Sequence, residues 1–273
     1  MRLHSLAPAR ALAPWVCGYW FVEDWAGVHA GKPILTAPIP SAVLTVNFGR
    51  PNRMVGGPVV PQVSWLGIQR TVRQWRSSED TAFVMVMLSV EGMVRLFPHL
   101  GGVSVDAFED LGSLLGDSAV RPLRELAANR EPMLEYSRLA RALDRWLLSR
   151  IGTVAEASER GAMAAACRVL ASGASVTEAA ATAQVSRRQL LRWCDDHVGV
   201  GPKALSSLYR LEKSVRAVHS GVQNAGVGFA DQAHEIRSWR RHLASTPGKH
   251  RRSPPSALAQ AFGDTADGPA FYL

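Results

Sequence analysis

Two short helical segments joined by a tight turn constrain the fold of this chain more than any other feature. The stretch Ser175–Lys203 reads SVTEAAATAQVSRRQLLRWCDDHVGVGPK. A first helix is expected to begin near Thr177, and its alanines are small enough to let a second helix cross closely. After a turn at Gln184–Val185, Ser186 is placed to cap the second helix, Arg187–Asp196. The pattern therefore predicts two helices that pack against each other across a short turn.

The second helix of this pair has one apolar face and one cationic face. Leu190, Trp193 and Cys194 share a face and are expected to pack inward. The opposite face, near the N-terminal end, carries Arg187, Arg188, Leu191 and Arg192. Arginines at such a position can pair bidentately with guanine, and the first-turn amides can hold a phosphate. An Ala-rich helical hairpin that only packs is the alternative, and the spacing alone favours neither interpretation.

Positive charge is concentrated in the part of the chain that contains the helix pair. Of the net charge of +8, nearly all lies in residues 160–252, which hold 15 Lys and Arg against 6 Asp and Glu. Residues 1–159 hold 16 against 15. Contacts to a polyanion release condensed counterions, so this asymmetry is what phosphate binding needs. A basic surface without a partner is the alternative that charge alone leaves open.

The rest of the sequence predicts an α+β chain with two folded parts. Short apolar runs at Ala42–Phe48 and Ala82–Val90 predict strands of a barrel or sandwich. After Pro98, apolar residues spaced three and four apart predict amphipathic helices, the clearest at Ser137–Arg150. We expect a β-rich sensor or dimerisation domain with trailing helices at 1–150, a linker at 151–160, an all-α domain at 161–252 and a flexible tail at 253–273.

The helix pair and the sequence after it resemble the DNA-binding domain of the AraC/XylS family. That family shows Ser-x-Arg-x-Leu-x-Arg, then Gly-x-x-Pro-Lys, then an Arg-Leu helix. The matching residues are Ser186, Arg188, Leu190, Arg192, Gly199, Pro202, Lys203, Arg210 and Leu211. The family's closing signature is matched by Gly228, Phe229, Asp231, Gln232, His234, Arg237, Arg240, Arg241, Thr246 and Pro247. The resemblance implies two helix-turn-helix units joined by a long helix, entering successive major-groove segments on one face of DNA.

The resemblance also implies which side chains meet DNA. On the first recognition helix these are Arg187, Arg188, Gln189, Leu191 and Arg192. On the second they are Gln232, Ala233, Ile236 and Arg237. Lys203, Arg240, Arg241 and Lys249 are expected to contact phosphates, which position a protein on DNA without specifying sequence.

Three departures from the family pattern lie in the second unit. Val222–Val227 is short and lies among Gly221, Gly226 and Gly228 where the family has a supporting helix, and Ala244 replaces a glycine. Glu235 stands where the family places an aromatic or leucine core residue, and a buried carboxylate without a partner is costly. We therefore expect the second unit to be eroded and DNA binding to depend mainly on the first.

The N-terminal half resembles a poorly characterised sensor-type domain found in front of AraC-type DNA-binding domains. The similarity covers about residues 10–150, and in the wider family such a domain binds an effector or dimerises. Trp20, Trp65, Trp75 and Arg50 are our candidates for lining a pocket that takes an anionic or aromatic molecule. Scattered tryptophans in a β-rich domain more often belong to the core, which is the competing interpretation.

These features together predict a cytoplasmic transcriptional regulator that binds double-stranded DNA. A small-molecule effector, a homodimer partner and RNA polymerase are the further partners that we consider, and no apolar run is long enough to require a membrane. No Ser/His/Asp set, carboxylate pair or phosphate loop has a convincing spacing, and the three cysteines lack metal-ligand spacing, so we expect no enzyme, cofactor or metal. The alternative from another class is a protein-interaction module derived from such a regulator.

Overall fold

Antiparallel strands form the first third of the molecule and helices follow. The computed structural model describes residues 1–98, 100–106, 108–128, 135–151, 154–221, 228–253 and 273. The strands are β1 (Arg2–Leu6), β2 (Val16–Asp24), β3 (Pro33–Thr36), β4 (Ser41–Asn47), β5 (Arg53–Met54), β6 (Val63–Leu66), β7 (Arg73–Arg76), β8 (Thr81–Ser89) and β9 (Phe108–Asp110).

The strands form two antiparallel sheets. The larger sheet has the order β1-β2-β8-β4-β6-β9, and the smaller has the order β3-β7-β5. In the middle of the larger sheet, Val43 pairs with Leu66 on one side and with Met87 on the other. Both faces of β4 and β8 are covered, which explains why these strands are continuous apolar runs. The predicted α+β class is confirmed, but the sheet ends at β1 and β9, so the described strands do not close a barrel.

Eleven helices are present in the described residues. They are α1 (Val90–Leu96), α2 (Leu100–Val103), α3 (Leu111–Leu115), α4 (Asp117–Ala127), α5 (Tyr136–Leu148), α6 (Val154–Ser172), α7 (Val176–Thr182), α8 (Arg187–His197), α9 (Pro202–His219), α10 (Gln232–Leu243) and α11 (Pro247–Arg252). None of these helices combines the length and the apolar composition that crossing a bilayer requires.

Helix α6 begins inside the segment that the sequence predicts as a linker. Its backbone is helical from Val154, so most of 151–160 belongs to a helix that packs against α1. Alanine and glutamate are strong helix formers, and this preference outweighs the small and polar character that suggests a linker. Of the predicted tail, residues 254–272 lie outside the described residues. Leu273 is buried, and its amide donates to the Leu35 carbonyl.

Two apolar clusters cover the two faces of the larger sheet, and both extend into the C-terminal helices. The first cluster contains Trp65 from the sheet together with Leu170 of α6 and Leu190 of α8. The second contains Trp75 from the sheets and Trp239 of α10. The β-rich part and the C-terminal helices therefore share their cores.

A pair of glycines lets the β-rich half touch the end of α8. A Cβ atom at Gly101 would lie 2.1 Å from the His197 carbonyl oxygen, and one at Gly102 would lie 2.9 Å from that of Asp196. Because no real Cβ sits so close to a backbone oxygen, only glycine permits this approach. The pair therefore places α2 directly against the C-terminal end of α8.

Candidate nucleic-acid interface

Side-chain caps fix the two helices of the first unit. At the start of α7, the Glu178 amide donates to Ser175 Oγ at 3.2 Å, and the Ser175 amide donates to Glu178 Oε2 at 2.8 Å. This reciprocal pair is a capping box. Gln184 makes the turn with a left-handed backbone, φ 56°. Ser186 then caps α8 by accepting from the Gln189 amide at 3.1 Å.

The faces of α8 are divided as the residue spacing predicts. Leu190 and Cys194 are buried, and Trp193 is half-buried. The side chains of Arg187, Arg188 and Arg192 are exposed at the N-terminal end. Leu191 lies among them with 47% of its surface exposed, although it is a large apolar residue. Gln189 accepts from Arg192 Nη2 at 2.6 Å, which restrains this guanidinium on the outer face.

The second unit is joined to the first by α9, a helix of 18 residues. Asp231 caps α10 by accepting from the His234 amide at 2.7 Å, and Thr246 caps α11 by accepting from the Lys249 amide at 3.2 Å. Among the predicted contact residues, Lys203, Gln232, Ala233, Arg237, Arg240, Arg241 and Lys249 are exposed, and Ile236 is half-buried. A second helix therefore presents polar and cationic side chains to solvent.

The buried carboxylate of the second unit has partners, so the expectation of an unpartnered Glu235 is wrong. Glu235 is only 7% exposed, and its Oε1 accepts from the Ser214 hydroxyl at 2.5 Å. The same hydroxyl oxygen accepts from Trp239 Nε1 at 2.8 Å. Sequence reasoning missed Ser214, although this serine lies between Leu211 and Val215 on the apolar face of α9. A serine on a core-facing stripe is the signal that could have revealed the network.

The other two departures from the family pattern lie at Ala244 and at Val222–Val227. Ala244 ends α10 with a left-handed backbone, φ 50°, where a glycine would carry no Cβ penalty. Val222–Val227, predicted to lack the supporting helix, lies outside the described residues. Of the reasons for expecting an eroded second unit, only the one at Ala244 is visible in the structure.

A histidine pair joins α9 to α11 beside α10. The Nε2 atoms of His219 and His250 lie 3.0 Å apart, and the His250 ring also packs against Trp239. The ring centroids are 5.2 Å apart and the ring planes are 29° from parallel, so the two imidazoles are stacked. Burial lowers the pKa of both histidines. The two Nε2 atoms can form a hydrogen bond only if one carries the proton and donates while the other accepts.

The four candidate ligand residues do not meet in one pocket. Trp65 is fully buried in the first cluster and donates to Ser104 Oγ at 2.9 Å. Trp20 lines a cavity beside α9, whereas Trp75 lines a cavity between the two sheets. Arg50 is exposed and ion-paired to Glu79 and Asp80.

The cavity between the sheets is small, with a volume of about 60 Å³, and none of its lining residues is charged. Its polar groups come from Thr36, Thr45, Asn47 and Asn52. Trp75 donates its indole N–H to Thr36 Oγ1 at 3.0 Å, so that donor is already used. The lining fits an uncharged, largely apolar molecule better than an anion.

No family model and no curated protein matches the chain. Among solved structures it is similar to ToxT from Vibrio cholerae O395, with 12% identity, a TM-score of 0.44 and coverage of 85% of this chain and 96% of that chain. The AraC-like transcriptional activator CuxR gives 13% identity and a TM-score of 0.27, covering 83% and 89%. These neighbours are AraC-like transcriptional regulators.

Proposed function

We propose that the chain is a cytoplasmic, sequence-specific DNA-binding transcriptional regulator of the AraC/XylS type. The observation that carries the proposal is the exposed group of Arg187, Arg188, Leu191 and Arg192 at the start of α8. The inner face of α8 is packed in the core, while its outer face presents guanidinium groups and one apolar side chain. A helix of this kind is suited to lie in the major groove with its first turns against base edges.

The chemistry of α8 matches what the major groove displays. Arg188 and Arg192 can each donate two hydrogen bonds to the O6 and N7 acceptors of a guanine. Leu191 is 47% exposed in the free protein, which is unfavourable for a large apolar side chain. On DNA it can pack against a thymine methyl group. Arg187, at the first helical position, lies where a phosphate would meet the amides of the helix N-terminus.

The second recognition helix, α10, contributes less in this proposal. Gln232, Ile236 and Arg237 are assigned to base edges, and Arg240 and Arg241 to phosphates. The backbone that ends α10 is held in a left-handed conformation at an alanine, whereas α8 ends without such strain. We therefore assign most of the binding free energy to α8.

We further propose that the β-rich half binds a small effector in the cavity between the sheets. The uncharged lining with four amide or hydroxyl side chains selects a neutral, mainly apolar molecule with hydrogen-bonding groups. Isothermal titration of candidate compounds, with Asn47→Leu as the variant that fills and depolarises the cavity, tests this assignment. Equal binding to the wild type and to Asn47→Leu would rule out this cavity.

The DNA proposal is tested by selecting bound sequences from a random duplex library. The expected result is one enriched sequence whose affinity falls steeply with added salt, because phosphate contacts release counterions. If the folded chain enriches no sequence and its partners bind independently of salt, the protein-interaction module becomes the correct function.

A further inference from the structure

The loop between β6 and β7 is hydrogen-bonded to the last turn of α10. The Val72 amide donates to the His242 carbonyl oxygen at 2.8 Å. In return, His242 Nδ1 lies 2.6 Å from the Arg70 carbonyl oxygen, to which it must donate because a carbonyl only accepts. Two hydrogen bonds of opposite direction therefore join the β-rich half to a recognition helix.

The bond from the Val72 amide caps the C-terminal end of α10. The last four carbonyls of a helix have no partner within the helix, and a glycine after the end usually supplies one. Here that position is Ala244, and an amide from another part of the chain reaches the His242 carbonyl instead. The loop therefore supplies part of what holds the C-terminal end of α10.

Asp106 fixes the position of the loop. Its carboxylate accepts from the Arg70 amide at 2.7 Å and from Arg70 Nε at 2.5 Å, and its own amide donates to the Ile68 carbonyl at 3.0 Å. Asp106 makes these bonds with a left-handed backbone, φ 51°, a conformation that is uncommon outside glycine but that aspartate tolerates. Three hydrogen bonds from one residue indicate that the position of the loop is specified.

We propose that Asp106, Arg70 and His242 are positioning residues that hold α10 in register with its DNA segment. We refer to their hydrogen bonds, with that of Val72, as the α10 bridge. This inference rests on the proposed DNA-binding function and goes beyond it by making the second helix-turn-helix depend on the β-rich half. The caps and the turn of the first unit, by contrast, lie within its own segment.

The bridge also connects α10 to the cavity between the sheets. Leu66 directly precedes the loop and Trp75 follows it, and both line that cavity. Phe108, two residues after Asp106, completes the same wall and packs edge-on against Trp75 at 5.4 Å between centroids. A molecule in the cavity would therefore touch residues on both sides of the loop that caps α10.

The test uses the full chain and two duplexes. One carries the complete selected site, and in the other only the segment assigned to α10 is randomised. His242→Leu removes the donor, whereas His242→Asn keeps an N–H close to the position of Nδ1. Asp106→Gly removes the carboxylate but tolerates the backbone conformation, and Arg76→Ala removes an exposed arginine from the neighbouring strand as a control.

We expect His242→Leu and Asp106→Gly to bind the complete site roughly fivefold more weakly than the wild type, in line with typical coupling through a positioning network. His242→Asn and Arg76→Ala should bind it normally, and all variants should bind the half-randomised duplex alike. Equal weakening on both duplexes, or no weakening on either, would overturn the positioning role. Hydrogen exchange at the Val72 amide reports on the bridge without DNA, and an unchanged rate in His242→Leu would also overturn it. If the wild type selects no sequence, the proposed function fails and this role with it, even where the exchange data show the bridge itself.

Discussion

Replacing Ser214 by alanine removes the atom on which the polar network of the second unit depends. The Ser214 hydroxyl donates to Glu235 and accepts from Trp239 at the same time, and all three residues are buried. Its loss leaves a buried carboxylate oxygen and a buried indole N–H without these partners. An unsatisfied buried group costs about 1–3 kcal/mol, and more when it is charged.

We expect Ser214→Ala to lower the free energy of unfolding by roughly 3 kcal/mol, since burying a methyl group in place of the hydroxyl offsets part of the two losses. For a chain of this size that corresponds to a melting temperature lower by roughly 6–12 °C. The assay is thermal and urea denaturation followed by circular dichroism.

Ser238→Ala is the matched control, because Ser238 is a second buried serine of this unit and its hydroxyl has no hydrogen-bond partner in the described structure. Its removal should change stability by less than about 0.5 kcal/mol. Adding Glu235→Leu to Ser214→Ala should recover most of the loss, since an apolar residue leaves no charge unpaired. Equal effects of Ser214→Ala and Ser238→Ala would refute the network.

Three further predictions concern the same domain. Because burial lowers the pKa of His219 and His250 below the ordinary 6.5, the unfolded chain takes up protons first as pH falls below 6.5. Stability should therefore be constant above that pH and decrease below it, and His250→Phe should flatten the decrease in urea titrations from pH 7.5 to 5. Ala244→Gly should raise stability by about 0.5–1 kcal/mol in the same assay, because glycine removes the left-handed penalty. Arg192→Ala should weaken operator binding by roughly 1–3 kcal/mol in gel-shift titrations, and Arg237→Ala by less.

Each of these three has an outcome that contradicts it. Stability that rises between pH 7 and 5 would show that the histidine pair is not held neutral by burial. A less stable Ala244→Gly variant would mean that the alanine side chain contributes more packing than its backbone costs. Large and equal losses in Arg192→Ala and Arg237→Ala would remove the asymmetry between the two recognition helices.

Local signals in the sequence predict the first helix-turn-helix well. The caps at Ser175 and Ser186 and the inward Leu190 lie a few residues from one another, and local spacing determines them. The strands of the sheet interior follow equally from their apolar runs. Such features need no knowledge of distant partners.

Contacts between distant segments are what the sequence does not reveal. Glu235 alone predicts a costly buried charge, and only the fold shows that Ser214, 21 residues away, meets it. The hydrogen bond between Arg70 and His242 spans 172 residues. It ends on a backbone oxygen, which every residue type has, so the amino-acid sequence does not indicate it. The candidate tryptophans separate for the same reason, since Trp20 and Trp65 lie on opposite faces of the larger sheet and Trp75 lies in the smaller sheet.

The most direct test of the central claim is to compare the DNA sequences selected by the wild type, by Arg192→Ala and by Arg145→Ala. Arg145 is an exposed arginine on α5 and serves as the control for lost charge. The account predicts that Arg192→Ala loses the preference at the base pair under Arg192 and keeps the others, while Arg145→Ala selects the wild-type sequence. An unchanged preference in Arg192→Ala, or no enriched sequence for the wild type, would contradict the claim that α8 reads DNA.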